Sequence, residues 1–201
     1  MEIKELQRKD MDKVIGFAIR GMHFDLYLKH KLLQNMYGRY FWYLETNRAT
    51  HVIAAYEGDT LAGVLLAEIY GEVPKYKSRG KAAYVACIDF VQKLFFRESV
   101  GVYDTINQEM LAQYRKTHSP DGEIIFLAAN PDVKIKGIGT MLLQELTRQA
   151  KGKEVYLYTD DACTYQFYEH RGFDKAGEKD TLLDFGGKKV PLTCLLYAKV
   201  L

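Results

Sequence analysis

The alternation of apolar and polar residues divides this chain into short strands and amphipathic helices. Period-two patterns and short apolar runs between turn residues predict strands, and apolar residues three or four apart predict helices. The predicted strands cover residues 2–7, 51–56, 61–67, 123–129, 153–159, 173–185 and 190–200. The predicted helices cover residues 12–20, 24–46, 82–97, 103–117, 137–150 and 161–170, and Gly38 is expected to interrupt the second one.

Turn residues indicate how these elements connect. The segments 57–60 and 186–189 are typical of hairpin turns, and Ser119-Pro120-Asp121-Gly122 is a strong turn before the strand at 123. The strand–helix–strand pattern over 123–159 adds a parallel connection to these hairpins. The pattern therefore predicts a mixed α/β (α+β) fold, with helices on both faces of one sheet. We expect a single domain over residues 1–201, with an atypical helical insertion around 71–120.

Composition and charge narrow the function classes. The chain has 201 residues, 48% hydrophobic and 27% charged, which is ordinary for a soluble globular protein. Its net charge of +2 gives no basis for a nucleic-acid partner. The chain has no signal-peptide pattern and no apolar run of the roughly 18 residues that span a bilayer, so we expect a cytoplasmic protein without a membrane partner.

Cysteine and histidine spacing gives no sign of a metal site or a disulfide framework. The three cysteines are far apart and include no C-x-x-C pair. The five histidines also lack the spacing of metal ligands. We therefore expect no metal.

A glycine turn at a helix start is the first motif that carries chemistry. After the strand 123–129 and the loop 130–136, Gly137-Ile138-Gly139-Thr140 opens an amphipathic helix. Backbone N–H groups at such a start lie at the positive end of the helix dipole and can bind phosphate. Glycines let the backbone approach a ligand closely, and Lys134 and Lys136 flank the turn.

Two other phosphate-binding folds fit the sequence less well. No G-x-x-x-x-G-K-[ST] occurs, which argues against a P-loop protein. In a dinucleotide-binding Rossmann unit the third glycine would fall at Leu142, and the glycines would follow the strand directly. Here the residues 130–136 intervene.

Together with a second motif, the glycine turn resembles the GNAT (Gcn5-related N-acetyltransferase) superfamily. That family's signature is Gln or Arg, two residues, Gly, one residue, then Gly or Ala. The window Lys134 to Gly139 matches it except that lysine replaces Gln/Arg. The segment from Phe167 to Phe173 matches the family's later Tyr…Gly-Phe block, whereas Asp161 stands where the family often has Asn. The likeness is specific over 122–173.

The resemblance implies a fold and a cofactor. It implies a mostly antiparallel mixed sheet flanked by helices, and acetyl-CoA as co-substrate. Backbone contacts to pantetheine are implied for Leu127, Ala128, Ala129 and Val133. The pyrophosphate is expected on the N–H groups of residues 134–140, which are Lys134, Ile135, Lys136, Gly137, Ile138, Gly139 and Thr140.

Tyr168 is the expected general acid. Asp161, Tyr165 and Tyr168 would share a helix face by i, i+4, i+7 spacing and would face the thioester end of the cofactor. A thiolate leaving group has a pKa of about 8.5, and a tyrosine near 10 stays protonated at neutral pH. Tyr168 can therefore donate a hydrogen bond or proton to the departing sulfur.

Three carboxylates are candidates for the general base, and one thiol is a candidate nucleophile. Glu123, Asp89 and Glu68 are the candidate bases that would take a proton from the acceptor amine, and a water chain could serve instead. Cys163 and His170 would be about 10 Å apart along a helix, too far for a nucleophilic pair.

The sequence thus predicts an N-acetyltransferase acting on a primary amine of a small molecule or peptide by direct transfer in a ternary complex. The alternative is a non-catalytic acyl-CoA sensor or interaction module. A homodimer is left open. Acceptor choice is assigned to the segments 22–43 and 71–100. The aromatic and imidazole groups of these two segments would line the acceptor pocket: His23, Tyr27, Tyr37, Tyr40, Trp42 and Tyr76.

Overall fold

Seven strands form one mixed sheet in the residues that the structure, a computed structural model, describes: 1–21, 30–95, 102–185 and 188–201. The strands are β1 (Glu2–Lys4), β2 (His51–Glu57), β3 (Thr60–Ile69), β4 (Gly122–Ala129), β5 (Glu154–Asp160), β6 (Asp174–Phe185) and β7 (Lys188–Val200). Their order is β1-β2-β3-β4-β5-β7-β6. β4 and β5 pair in parallel, whereas β1–β2, β2–β3, β5–β7 and β6–β7 are antiparallel. This confirms the predicted mixed, mostly antiparallel sheet.

The described helices follow the predicted pattern with two exceptions, at Gly38 and after β5. They are α1 (Met11–Gly21), α2 (Lys31–Arg48), α3 (Arg79–Phe95), α4 (Val102–Tyr114), α5 (Ile138–Gln149) and α6 (Gln166–Glu169), with a 3-10 turn at Arg8–Asp10. The predicted helix start at 24 and the turn residues 186–187 lie outside the described residues.

The chain divides into two compact units. The first contains Met1–Asp89 and Ile124–Lys151, and the second contains Phe90–Glu123 and Gly152–Leu201. The expectation of a single domain over 1–201 stays a prediction.

Strand β3 has two buried faces in the first unit, which explains its nearly continuous apolar sequence. Val64 and Leu66 belong to a core cluster with Val14 of α1 and Trp42 of α2. Gly63, one position away on the strand, faces Ile138 of α5. Because side chains alternate along a strand, α1 and α2 cover one face of this strand and α5 covers the other.

Gly38 does not interrupt α2, so this part of the prediction was wrong. The helix runs unbroken from Lys31 to Arg48. A Cβ at Gly38 would lie 2.5 Å from Cγ1 of Ile19 on α1. Tertiary packing therefore overrides the weak helix propensity of glycine, since only a residue without a side chain lets the two helices approach this closely.

The first strand is also shorter than the predicted 2–7. It ends at Lys4, and the 3-10 turn begins at Arg8. The N–H of Gln7 donates to the Tyr56 hydroxyl at 3.1 Å, and that hydroxyl donates to the buried Asp10 carboxylate at 3.0 Å. These side-chain hydrogen bonds replace the strand ladder after Lys4.

In the second unit, α4 packs on the strands that follow it in sequence. Met110 and Leu111 of α4 form a cluster with Tyr156 of β5 and with apolar side chains of β7. Gly177 of β6 lies beneath the helix, since a Cβ there would be 3.3 Å from the Met110 side chain. The predicted helices of the atypical segment are therefore present, as Arg79–Phe95 and Val102–Tyr114.

Replacing Gly63 with alanine should destabilise the protein. The new Cβ would lie 2.6 Å from Cγ2 of Ile138 and 2.9 Å from the Ala128 carbonyl oxygen. Overpacking of this kind costs about 1–3 kcal/mol in the free energy of unfolding. Denaturant unfolding monitored by circular dichroism measures the change.

The matched control is Gly16→Ala in α1, where nothing lies within 4 Å of a new Cβ. Alanine in a helix interior should stabilise the protein by roughly 0.5–1 kcal/mol. Equal stabilities for the two variants would contradict the tight contact at Gly63.

Candidate active site

Gly137 sets the start of α5 in the first unit. It has φ of +87°, the left-handed region, and it is the N-cap residue without a side-chain cap. A Cβ there would meet nothing within 4 Å, so backbone conformation rather than space requires glycine. The first N–H of the helix ladder is that of Met141, which donates to the Gly137 carbonyl at 2.9 Å. The N–H groups of Ile138, Gly139 and Thr140 precede this ladder, at the positive end of the helix dipole.

Asn130 anchors the loop that leads from β4 to this turn. Its N–H donates to the Ala62 carbonyl at 2.7 Å, and its side-chain Nδ2 donates to the Leu61 carbonyl at 2.9 Å. Its Oδ1 accepts the Asp132 N–H at 3.0 Å. The sequence analysis missed this buried residue. An Asn two residues before Asp132, directly after a strand, is the turn chemistry that could have identified it.

The residues assigned to the cofactor differ in exposure within the first unit. Leu127, Ala128, Val133, Gly139 and Thr140 are half-buried, and Ile138 is buried in the core. The remaining members are exposed, namely Ala129, Lys134, Ile135, Lys136 and Gly137. Ile138 can thus offer a ligand only its backbone, whereas the two lysine side chains are open to solvent.

The parallel ladder between β4 and β5 is short. It pairs Gly122 with Val155 and Glu123 with Tyr156 at the start of both strands. β4 itself continues to Ala129. Leu127–Ala129 are the last three residues of β4.

Tyr168 lies in α6, in an aromatic environment of the second unit. Its ring centroid is 5.2 Å from that of Phe167, 5.7 Å from Phe173 and 6.4 Å from Tyr197. Burial, with a smaller contribution from the nearby Cys163 thiol, raises the pKa of Tyr168 above its usual value. The hydroxyl is therefore protonated at neutral pH, as a hydrogen-bond donor must be.

The predicted helix over 161–170 is wrong, because α6 covers only Gln166–Glu169. Asp161 and Tyr165 precede it, so they do not share a helix face with Tyr168. The Asp160 carboxylate accepts the N–H groups of Ala162 and Cys163, both at 3.1 Å. Such local bonds from an aspartate side chain compete with helix formation.

Asp161 instead bonds to β7. Its N–H donates to the Thr193 carbonyl at 3.1 Å, and its Oδ1 accepts the Thr193 N–H at 3.0 Å. Its assignment to the cofactor therefore stays a prediction, as does that of Tyr165.

Asp160 links three segments of the second unit, and the sequence analysis missed this role. Besides holding the turn after β5, its Oδ2 accepts a hydrogen bond from the Tyr103 hydroxyl of α4 at 3.3 Å. Burial, and then the Asp160 charge, raises the pKa of Tyr103. No sequence signal connects Tyr103 to Asp160, because the pair is 57 residues apart.

The three candidate bases have different partners. Glu68 accepts a 2.7 Å hydrogen bond from Arg48 in an ion pair, and Asp89 accepts one of 2.6 Å from the Tyr40 hydroxyl. Glu123 is half-buried at the start of β4 and accepts a longer bond, 3.3 Å, from the Tyr156 hydroxyl. Glu68 is thus already engaged in an ion pair with Arg48.

The residues proposed to line the acceptor pocket do not all reach the surface. Trp42 is fully buried in the core cluster of α1 and α2, and its indole N–H points to the Met11 sulfur at 3.3 Å. It therefore cannot line a pocket. Tyr37, Tyr40 and Tyr76 are half-buried, whereas His23 and Tyr27 lie outside the described residues.

The described residues contain neither a metal-binding cluster nor a membrane-spanning helix. The described part of the chain contains no group of three or more His, Cys, Asp or Glu side chains able to hold a metal ion. Among the same residues, no helix combines the length and apolar character needed to cross a membrane.

Comparison with known proteins identifies the family. The model of the acetyltransferase (GNAT) family matches residues 19–173, well over half of the chain. The chain therefore belongs to the GNAT acetyltransferases, enzymes that move an acetyl group from acetyl-CoA. No curated protein matches it.

Solved structures show the same fold at low sequence identity. A ribosomal-protein-alanine N-acetyltransferase from Brucella melitensis is 16% identical with a TM-score of 0.56, covering 100% of both chains. The PaiA N-acetyltransferase from Thermoplasma acidophilum, solved with coenzyme A, is 17% identical with a TM-score of 0.52, covering 100% of this chain and 98% of the other. A histone acetyltransferase-related protein from Corynebacterium glutamicum is 13% identical with a TM-score of 0.58, covering 96% and 93%.

Cys163 should be unreactive despite its position beside Tyr168 in sequence. Burial, followed by the Asp160 charge, raises the pKa of its thiol to about 12. Since the thiolate is the nucleophile, only about 1 in 10⁴ molecules is reactive at pH 8. Iodoacetamide labelling, followed by peptide mass spectrometry, should modify the exposed Cys87 well before Cys163.

The labelling rate of Cys163 should rise about tenfold per pH unit below its pKa. Unfolded protein, in which all three cysteines react, provides the control. Equal rates for Cys163 and Cys87 in the folded protein at pH 8 would contradict the burial of this thiol.

Proposed function

We propose that this protein transfers an acetyl group from acetyl-CoA directly to a primary amine of a small molecule or peptide, in a ternary complex. The main observation that supports this proposal is the start of α5, where Gly137 at φ +87° precedes a helix without a side-chain cap. In a member of the GNAT family, this is the feature that fits a pyrophosphate.

Two sets of backbone groups and two lysine side chains of this chain would hold the cofactor. The N–H groups of residues 134–140 would hold the pyrophosphate, with the exposed Lys134 and Lys136 neutralising its charge. The backbone of Leu127–Ala129, together with Val133, would hydrogen-bond the pantetheine amides. The family resemblance supports these assignments.

Tyr168 would act as the general acid. Its hydroxyl would donate a hydrogen bond or proton to the sulfur that leaves the acetyl group. The hydroxyl is protonated over the whole neutral range, as a hydrogen-bond donor to the sulfur must be. Asp161 and Tyr165 would contact the pantetheine arm, as the resemblance implies.

Glu123 would act as the base toward the acceptor amine, directly or through water. The Tyr156 hydroxyl donates to its carboxylate at 3.3 Å, a longer bond than those that Glu68 and Asp89 accept. Glu68 fits this role less well because Arg48 pairs with it. We assign acceptor choice to half-buried aromatic residues of the first unit, among them Tyr37, Tyr40 and Tyr76.

Gly139→Val should abolish binding of CoA. A branched side chain in the first turn of α5 would occupy the space that the pyrophosphate requires next to the backbone. Isothermal titration calorimetry with CoA measures the loss, and Gly80→Ala, at an exposed position with only an ordinary contact to Ser78, is the control. A folded Gly139→Val protein that binds CoA as tightly as the parent would refute the assignment.

Tyr168→Phe should slow acetyl transfer about 10²–10⁴-fold while leaving CoA affinity nearly unchanged. The substitution keeps the ring contacts and removes only the proton donor. Steady-state kinetics with an amine found by screening polyamines, amino acids, aminoglycosides and peptides would measure the effect, and Tyr70→Phe, at an exposed tyrosine, is the control.

Unchanged turnover of Tyr168→Phe, with chemistry rate-limiting, would show that the hydroxyl has no catalytic part. Binding of CoA by the parent without turnover of any amine would favour the acyl-CoA sensor instead.

A further inference from the structure

Lys81, in the first turn of α3, directs its amino group toward α2 within the first unit. Nζ donates to the hydroxyl oxygen of Thr46 at 3.2 Å. That hydroxyl donates its own proton to the Trp42 carbonyl at 2.6 Å, so its oxygen is an acceptor toward the lysine. Nζ also lies 5.7 Å from the centroid of the Tyr43 ring. The partners of this amine are therefore a hydroxyl and a ring, both uncharged.

Several other lysines pair with a carboxylate. Lys13 lies 2.9 Å from Asp10 and Lys153 lies 3.3 Å from Asp121. In the described ranges no carboxylate lies within 4 Å of the Lys81 amine. Burial lowers the pKa of Lys81 below its usual value. An ammonium group that loses hydration without gaining a counter-charge shifts toward the neutral amine, which is the nucleophilic form.

We propose that Lys81 is an acetyl-accepting lysine, modified by acetyl-CoA on its own side-chain nitrogen. This inference rests on the proposed function, which supplies acetyl-CoA as the acetyl donor. The neutral amine forms a C–N bond to the thioester carbonyl carbon, and the C–S bond breaks. The nitrogen loses one proton and the departing thiolate gains one, so the products are an amide and free CoA thiol.

Acetylation would change the contact between α2 and α3. The amide keeps one N–H that can donate to Thr46, but it carries no charge toward the Tyr43 ring. Tyr43 packs edge-on against Tyr84 of α3, with ring centroids 5.4 Å apart, and the Tyr84 hydroxyl donates to the Met36 carbonyl of α2 at 3.3 Å. The modified side chain would therefore lie among residues that join the two helices.

Trace labelling tests the nucleophilicity of Lys81 without any CoA. The folded protein receives a limiting amount of acetic anhydride between pH 7.5 and 10.5, and isotope-labelled anhydride completes the reaction after unfolding. Mass spectrometry then gives the labelling ratio of Lys81 to Lys77, an exposed lysine four residues earlier. We expect this ratio to fall about threefold or more as the pH rises toward the ordinary lysine value near 10.4.

A difference in accessibility alone would give a ratio that does not change with pH. A pH-independent ratio therefore overturns the proposal, whatever the protein's transferase activity. A fold check by circular dichroism accompanies each pH.

Incubation with acetyl-CoA tests the donor. Peptide mass spectrometry should find acetyl on Lys81, the Lys81→Arg variant should lack this modified peptide, and Lys77→Arg should retain it. Calorimetry with CoA separates the two hypotheses. Absence of acetyl on Lys81 in a protein that binds CoA overturns the Lys81 proposal alone, whereas absence of CoA binding overturns the proposed function and, with it, acetyl-CoA as donor.

Discussion

The close approach of α5 to β3 at Gly63 is the constraint on which the glycine turn depends. A Cβ at Gly63 would lie 2.6 Å from Ile138, the first residue of α5. One and two positions earlier on the same strand, the carbonyls of Ala62 and Leu61 hold Asn130 at the end of β4. Three consecutive residues of β3 thus hold both ends of the loop that precedes α5. The position of this loop sets the direction of the N–H groups in the first turn of the helix.

In the second unit a single carboxylate has a comparable organising role. Asp160 ends β5, accepts two backbone N–H groups of the following turn and accepts the Tyr103 hydroxyl from α4. These bonds stop a long helix from forming after β5, so that Tyr168 lies on a helix of only four residues. The atypical segment therefore contributes to the surroundings of this turn.

One physical cause shifts the pKa of both side chains that are assigned a chemical role here, Tyr168 and Lys81. Burial disfavours the charged form of any titratable group. It raises the pKa of Tyr168, which keeps its hydroxyl protonated as a proton donor. It lowers the pKa of Lys81, which favours the neutral amine as a nucleophile.

The sequence by itself determined the strand and helix pattern, the glycine turn and the family, because hydrophobic periodicity and turn chemistry are local properties. It predicted α5 and the hairpin β2–β3 to within a few residues. It failed at Gly38 and Asn130, where contacts with residues distant in the chain decide the outcome. It also failed at the helix after β5, where the Asp160 side chain binds the N–H groups of the turn and Asp161 bonds to β7. Only the tertiary structure could place the Ile19 side chain against Gly38, or the Thr46 hydroxyl beside Lys81, because burial and the identity of each partner are set by packing rather than by neighbours in sequence.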